Sequence, residues 1–168
     1  AGRVRYEQNF VDDDARAFRA DLHGTAMAGV IAAEANNRLG IAGVAPDAEL
    51  LALKVCWQTN ESAHALCNSF TLAQALAVAL SHGARVVNLS LAGPSDPLLG
   101  QLVHWGAERG VIFVGAVAES GRAEGFPSEL PDVLAVASAD GPARGSRADR
   151  NDRVLRAPGE QVLTLTPG

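Results

Sequence analysis

Asp21-Leu22-His23-Gly24-Thr25-Ala26-Met27-Ala28-Gly29-Val30-Ile31-Ala32-Ala33 sets a histidine at the mouth of a stretch of small and apolar residues. Ala, Gly, Met and Val at this density make a helix that can sit deep in a core, so a residue in its first turn is held rigidly. Rigid placement is what an imidazole needs to move a proton between partners. Taken by itself, the stretch reads first as a histidine that caps or fills a core. The residues on either side of it decide between the two readings.

Downstream the chain alternates short apolar runs with helical periodicity. Glu49 to Val55 reads as a buried strand, and Ser69 to Leu80 carries apolar residues at helical spacing behind a serine cap, with Gly83 as the stop. The pattern repeats with a strand over 85–90, a helix over 96–109 ended by Gly110, and strands over 111–117 and 133–137. Trp105 on the second helix is expected in the core. Strands and helices in this order predict a three-layer α/β fold, a mostly parallel sheet with helices on both faces. Sites in such sheets form beyond the carboxyl ends of strands, where His23, Ser90 and Glu119 fall.

With 168 residues, 48% of them hydrophobic and 20% charged, the chain has the material for one domain with a sizeable core. The net charge is −5 with basic residues dispersed among acidic ones, which argues against nucleic acid or an anionic membrane as partner. No apolar run approaches the ~20 residues of a membrane span, and no signal segment opens the chain. Residues 1–22, with Asp12-Asp13-Asp14, and the Arg-, Asp- and Gly-rich stretch 141–153 read as solvated loops.

Cys56 and Cys67 bracket a polar loop containing His64, a pattern that suggests a disulfide and an oxidising compartment, with a buried reduced pair as the alternative. His82 and His104 lie on predicted helices without partners at metal-ligand spacing.

The 21–33 stretch resembles the His-Gly-Thr-His-Val-Ala-Gly motif of the subtilisin-like serine peptidases, the subtilases, and the resemblance extends along nearly the whole chain. Asn36 to Pro46 resembles the loop after the family's histidine helix. Val86-Val87-Asn88-Leu89-Ser90-Leu91-Ala92-Gly93-Pro94 resembles its substrate-binding strand. Residues 111–121 lie where the family carries its oxyanion asparagine, and 157–168 resemble the approach to its nucleophile.

The resemblance implies a serine endopeptidase domain acting on peptide or protein substrates by acyl-enzyme chemistry, with His23 as base and then acid. Main-chain groups of Ser90, Leu91 and Ala92 would bind the substrate as an added strand. Ser90 is therefore read as part of a substrate strand rather than as a nucleophile. No cofactor is required, and an exported location (secreted, periplasmic or cell-surface) is implied, with its signal outside the 168 residues.

The chain departs from the family pattern in two ways. The triad needs a carboxylate and a hydroxyl beside the imidazole, yet the family's Asp-Ser/Thr-Gly context is not found before His23 and its Gly-Thr-Ser-Met-Ala motif is not found after it. Asp12, Asp13, Asp14 and Asp21 lie in polar surroundings too close to His23 to replace the first. The single domain, residues 1–168, is thus expected to lack the family's first strand and nucleophile helix and to be inactive alone.

Glu119 stands where the family has an amide donor, and an ionised carboxylate donates nothing to an oxyanion. In subtilisin, loss of that donor costs about 10²–10³ in rate. A non-catalytic peptide-binding or scaffolding descendant is the alternative reading.

The resemblance also points to a structural calcium ion in the loop 35–41. There Asn37 and the main-chain carbonyls of Ala35, Leu39 and Ile41 would be ligands, hard oxygens suited to that ion. An asparagine-rich turn without metal is the alternative.

Overall fold

The structure, a computed structural model, describes residues 3–12, 14–58, 65–117, 125–140 and 154–167. It divides into two compact units, one formed by residues 1–75 with 163–168 and the other by residues 76–162.

The first unit contains β1 (Val4–Asn9), α1 (Ala15–Arg19), α2 (Leu22–Ala32), β2 (Leu50–Lys54), β3 (Cys56–Gln58) and β4 (Ala65–Cys67). Strands β1 and β2 pair in parallel from Val4↔Leu50 to Asn9↔Lys54. The main chain continues the ladder at both ends, Leu50 N–H to the Arg3 carbonyl and Phe10 N–H to that of Lys54.

Helix α2 begins at an Asp21 cap and ends where the chain folds back on its last turn. The amides of Gly43, Val44 and Ala45 donate to the carbonyls of Ala33, Val30 and Ile31 at 2.8–2.9 Å. Carbonyls that a helix end leaves without partners are thereby satisfied. Gly43 is obligatory there, because a Cβ would stand 2.4 Å from the Ala33 nitrogen.

Segment 163–167 lies along the small-residue side of α2. Thr164 Oγ1 donates to the Ala26 carbonyl at 2.5 Å, and a Cβ on Gly29 would stand 2.9 Å from Leu165 Cγ. Strands β3 and β4 form an antiparallel hairpin in which Cys56 faces Cys67, and the two are joined by a disulfide.

The division between the units falls inside α3 (Ser69–Ser81). Its cap is Asn68, whose Oδ1 accepts the Thr71 amide at 2.8 Å, rather than the serine expected from the sequence. Asn68 offers a better placed acceptor three residues ahead.

The second unit carries β5 (Val86–Leu89), α4 (Pro97–Ala107), β6 (Ile112–Ala116), β7 (Val133–Ser138) and β8 (Val154–Ala157). The four strands form one parallel sheet in the order β5-β6-β7-β8. One face is a dry core. Leu89, Phe113, Val133, Ala135 and Ala137 are buried there. Gly106 of α4 packs so closely that a Cβ would stand 2.8 Å from Phe113 Cζ and 2.9 Å from Leu80 Cδ2.

The strand register puts Val86, Ile112, Leu134 and Leu155 together on the opposite face, and all four are about half exposed, at 47–58%.

Trp105 departs from its expected place in the core. It is 47% exposed, and the Arg109 guanidinium lies 3.7 Å from its ring centroid. The inward stripe of α4 is made by Leu99, Val103 and Gly106, which turns position 105 outward, where an arginine covers the indole. Among the described residues no helix is long and apolar enough to cross a membrane.

Candidate active site

His23 is exposed in the first turn of α2. Asp21 positions that turn. Its extended backbone (φ −67°, ψ 111°) opens the helix, and its Oδ1 accepts the Gly24 amide at 2.6 Å. Its other oxygen, Oδ2, takes a hydrogen bond and ion pair from Lys54 Nζ at the end of β2. The Asp21 and Lys54 side chains are only 28% and 12% exposed.

Burial works to raise the Asp21 carboxyl. The hydrogen bonds from Lys54 and Gly24, with the charges of Lys54 and His23, outweigh that effect and hold its pKa below the ordinary carboxylate value. Lys54 is the only lysine in the chain, and it is spent here.

The other carboxylates before His23 serve the local turn. Asp12 Oδ1 accepts from Asn9 Nδ2 at 2.8 Å and from the Asp14 amide at 2.9 Å. Asp14 Oδ1 accepts the Arg16 amide at the start of α1. Asp14 thus caps α1 from within an exposed stretch, and Asp12 braces the turn before it. Asp13 lies outside the described residues.

Ser90, Leu91 and Ala92 follow β5 in the second unit. Ser90 Oγ accepts from Asn88 Nδ2 at 2.9 Å, Leu91 is half-buried and Ala92 exposed. The strand they continue is pinned one residue later, where Gly93 makes an antiparallel bridge with Phe126 and donates to its carbonyl at 2.9 Å. Gly125 permits that approach. Its φ is +77°, and a Cβ would meet the Gly93 carbonyl oxygen at 2.3 Å. Phe126 and Pro127 behind it are buried. The segment 90–92 thus runs from the end of β5 to the Gly93–Phe126 bridge, with Ser90 and Leu91 half-buried and Ala92 exposed. Glu119 and His64 lie outside the described residues.

The loop 35–41 is an Asx turn in which Asn37 Oδ1 accepts the Leu39 amide at 2.9 Å. Asn36, Arg38 and Gly40 have positive φ values of 64°, 63° and 57°. Among the described residues no group of three or more His, Cys, Asp or Glu side chains could hold a metal ion. Any calcium here would rely on neutral oxygens alone.

His104 has partners that spacing alone did not reveal. Its Nδ1 lies 2.9 Å from Asp132 Oδ2 and its Nε2 lies 3.7 Å from Glu108 Oε1. The hydrogen bond and charge of Asp132, helped by Glu108, raise its pKa above the ordinary imidazole value.

The model of the subtilase family matches residues 1–165. The chain belongs to the subtilase family. It is 32% identical to thermitase of Thermoactinomyces vulgaris, across 99% of this chain and 60% of that protein. It is 34% identical to subtilisin Savinase of Lederbergia lenta, across 98% of this chain and 61% of the relative. Among solved structures it is similar to the prenylagaramide maturation protease PagA, with a TM-score of 0.74 at 22% identity, covering 97% of this chain and 58% of the other. Sphericase is similar with a TM-score of 0.61 at 27% identity over 79% and 47%. The fold is therefore the subtilisin-like α/β fold, and this subtilase chain spans about 60% of the length of the curated relatives it matches.

Proposed function

We propose that the chain is the His-bearing part of a serine endopeptidase and that His23 is the general base and then the acid of acyl transfer. The observation that carries this reading is His23 in the first turn of a capped helix in a chain of this family. The 90–92 segment, which leads from β5 to the Gly93–Phe126 bridge, is read as the edge to which a peptide substrate adds as a strand. Residues 1–168 are read as one folding domain of that enzyme. The paired cysteines support an exported protein, since a disulfide persists in oxidising compartments.

The imidazole can act only with a hydroxyl to activate and a carboxylate to orient it and stabilise its charge. Residues 1–168 are accordingly expected to be inert, neither hydrolysing a peptide nor reacting with a fluorophosphonate probe. The protein encoded by the whole reading frame is expected to do both. There His23→Ala should lower kcat by about 10⁴ or more.

Glu119 favours a second reading, a peptide-binding domain that has lost catalysis, because a carboxylate stands where an amide donor is needed. The same experiment separates them. Peptide binding without probe labelling in the full protein establishes the second reading and removes the first. Labelling of residues 1–168 at Ser90, lost in His23→Ala, would instead make Ser90 a nucleophile.

Calcium, if the 35–41 loop takes it, would be held by Asn37 Oδ1 and the carbonyls of Ala35, Leu39 and Ile41. It would brace the turn that follows α2. A ligand that binds only the native state raises its melting temperature. Millimolar calcium should therefore raise Tm by a few degrees, and Asn37→Ala should abolish the rise. An unchanged melting curve returns the loop to a metal-free Asx turn.

A further inference from the structure

We infer that a cavity at the amino-terminal ends of β5 and β6 binds a small aromatic carboxylate, its charge taken by Arg85 and its ring by Trp105. The cavity lies within the second unit. None of its residues has a role in the endopeptidase reading, and Ser90 to Ala92 follow the opposite end of β5.

The cavity holds about 240 Å³ and is walled by Leu80, Arg85, Trp105, Arg109 and Val111. It forms where two helices end and two strands begin. The chain turns out of α3 at Gly83 (φ +72°) and out of α4 at Gly110 (φ +83°), and a Cβ on either glycine would meet nothing within 4 Å. The Ile112 amide donates to the Arg85 carbonyl at 3.0 Å, which fixes the backbone that carries the Arg85 side chain.

The wall is charged in one sense only. Two guanidinium groups line the cavity and no carboxylate does, in a chain whose net charge is −5. Arg109 has a structural use. Its Nη1 donates to the Trp105 carbonyl at 2.9 Å and its guanidinium lies over the indole, as suits a cation near a helix carboxyl end. Arg85 has no such use: it is exposed, and among the described residues no hydrogen bond or ion pair engages its side chain. Glu108, next to Arg109 in sequence, and Asp132 both face His104 instead.

The carboxyl ends of two helices disfavour an anion, and here local bonds mute them. The Gly83 and Ala84 amides return to the Leu80 and Ala79 carbonyls, and the amides of Arg109, Gly110 and Val111 return to Gly106 and Ala107.

These walls select the ligand. A guanidinium pairs with a carboxylate through two parallel N–H bonds. The indole, with Trp105 still 47% exposed, offers a flat apolar partner to a ring, and Leu80 and Val111 add aliphatic wall. The volume admits one ring with its carboxylate, being below the roughly 300–1,000 Å³ of sites that enclose drug-sized molecules.

The test is titration of the chain with benzoate, followed by Trp105 emission in a Trp57→Phe background and by amide chemical shifts. A saturable change with Kd on the order of 1 mM is expected, as suits a ligand of about nine non-hydrogen atoms. The shifts should centre on residues 80–85 and 105–111 and leave the first turn of α2 unmoved. Benzyl alcohol keeps the ring without the charge and acetate the charge without the ring, and each should bind about 10-fold more weakly or worse. Arg85→Gln should weaken benzoate by about 10-fold, whereas Arg5→Gln, at an arginine paired with Glu49, should leave its Kd unchanged.

No saturable change at benzoate concentrations well above that Kd overturns the proposal. Benzyl alcohol binding as tightly as benzoate does so too, as does Arg85→Gln binding benzoate as tightly as the wild type. Should Arg85→Gln fail to fold, the wild-type shifts decide, since a pattern centred anywhere else overturns the assignment. The titration uses no peptide, so its outcome is independent of the endopeptidase reading.

Discussion

Asp21 combines two jobs that small polar residues usually do separately, closing a helix end and neutralising a half-buried cation. Removing it leaves the Gly24 amide without its acceptor and Lys54 without its counter-charge. Loss of a cap alone costs about 0.5–2 kcal/mol, and an unpaired amine that is 12% exposed adds to it. Asp21→Ala is expected to destabilise the chain by about 2 kcal/mol in urea titrations at pH 7. Because the folded pKa of Asp21 is depressed, its contribution is complete above the unfolded carboxylate value of about 3.9 and is lost as pH falls through the lower folded value. The mutant's deficit should therefore shrink on acidification below about pH 4.

His104 runs the other way. Its folded pKa is raised by Asp132 and Glu108, so its contribution is complete below the unfolded imidazole value of about 6.5 and fades as pH rises through the folded value. His104→Gln should flatten the pH dependence of stability just above pH 6.5 and leave it unaltered at pH 9. Neither partnership could be read from the sequence. Asp21 and Lys54 are 33 residues apart and His104 and Asp132 are 28 apart, and such pairs are made by tertiary packing rather than by local spacing.

Among the elements, those with a strong apolar period were legible within about two residues. The expected helix over 96–109 is α4 at Pro97–Ala107, shortened because Asp96 caps it through the Leu99 amide and Gly110, with φ +83°, turns the chain out. The strands expected over 85–90, 111–117 and 133–137 are β5, β6 and β7. Four strands gave no signal, and two of them, β3 and β4, fall at the ends of what reads as a polar loop. β1, with Val4, Arg5 and Glu7 exposed, has one neighbour and no dry face, and β8 is a four-residue edge beside the Arg-rich stretch.

Close packing supplies the clearest test at this scale. Phe113 of β6 is fully buried, with its ring against Gly106 of α4, so Phe113→Ala should cost about 3–5 kcal/mol. Gly29→Val should detach Leu165 from α2, since the neighbouring atoms at 2.9–3.2 Å include the Leu165 backbone nitrogen. The measurement is protection of the Leu165 amide from hydrogen exchange, expected to be lost in the variant. The β3–β4 disulfide closes a loop with a sequence separation of 11. Reducing it should lower stability by about 2–3 kcal/mol, and thiol titration of unreduced, denatured protein should find no free thiol.

Across the whole molecule, the sequence announced an α/β protein of mostly parallel strands, and the sheets observed are parallel except for the small disulfide hairpin. What it could not show was which sheet faces would lie in water, because hydrophobic runs look alike whether one side or both are covered. Parallel sheets are ordinarily covered on both faces, and the half-exposed Val86, Ile112, Leu134 and Leu155 stand against that rule. Calorimetry should nevertheless give one transition, with calorimetric and van't Hoff enthalpies equal, as proposed for a single folding domain.

An apolar surface that water must wet is also one that salt can drive out of solution. Sulfate is excluded from such surfaces and strengthens their burial. The chain should therefore adhere to a phenyl-substituted resin at ammonium sulfate concentrations that leave most proteins of its size unretained. Leu134→Lys, which puts a charge in the middle of the four residues, should move its elution to markedly higher salt.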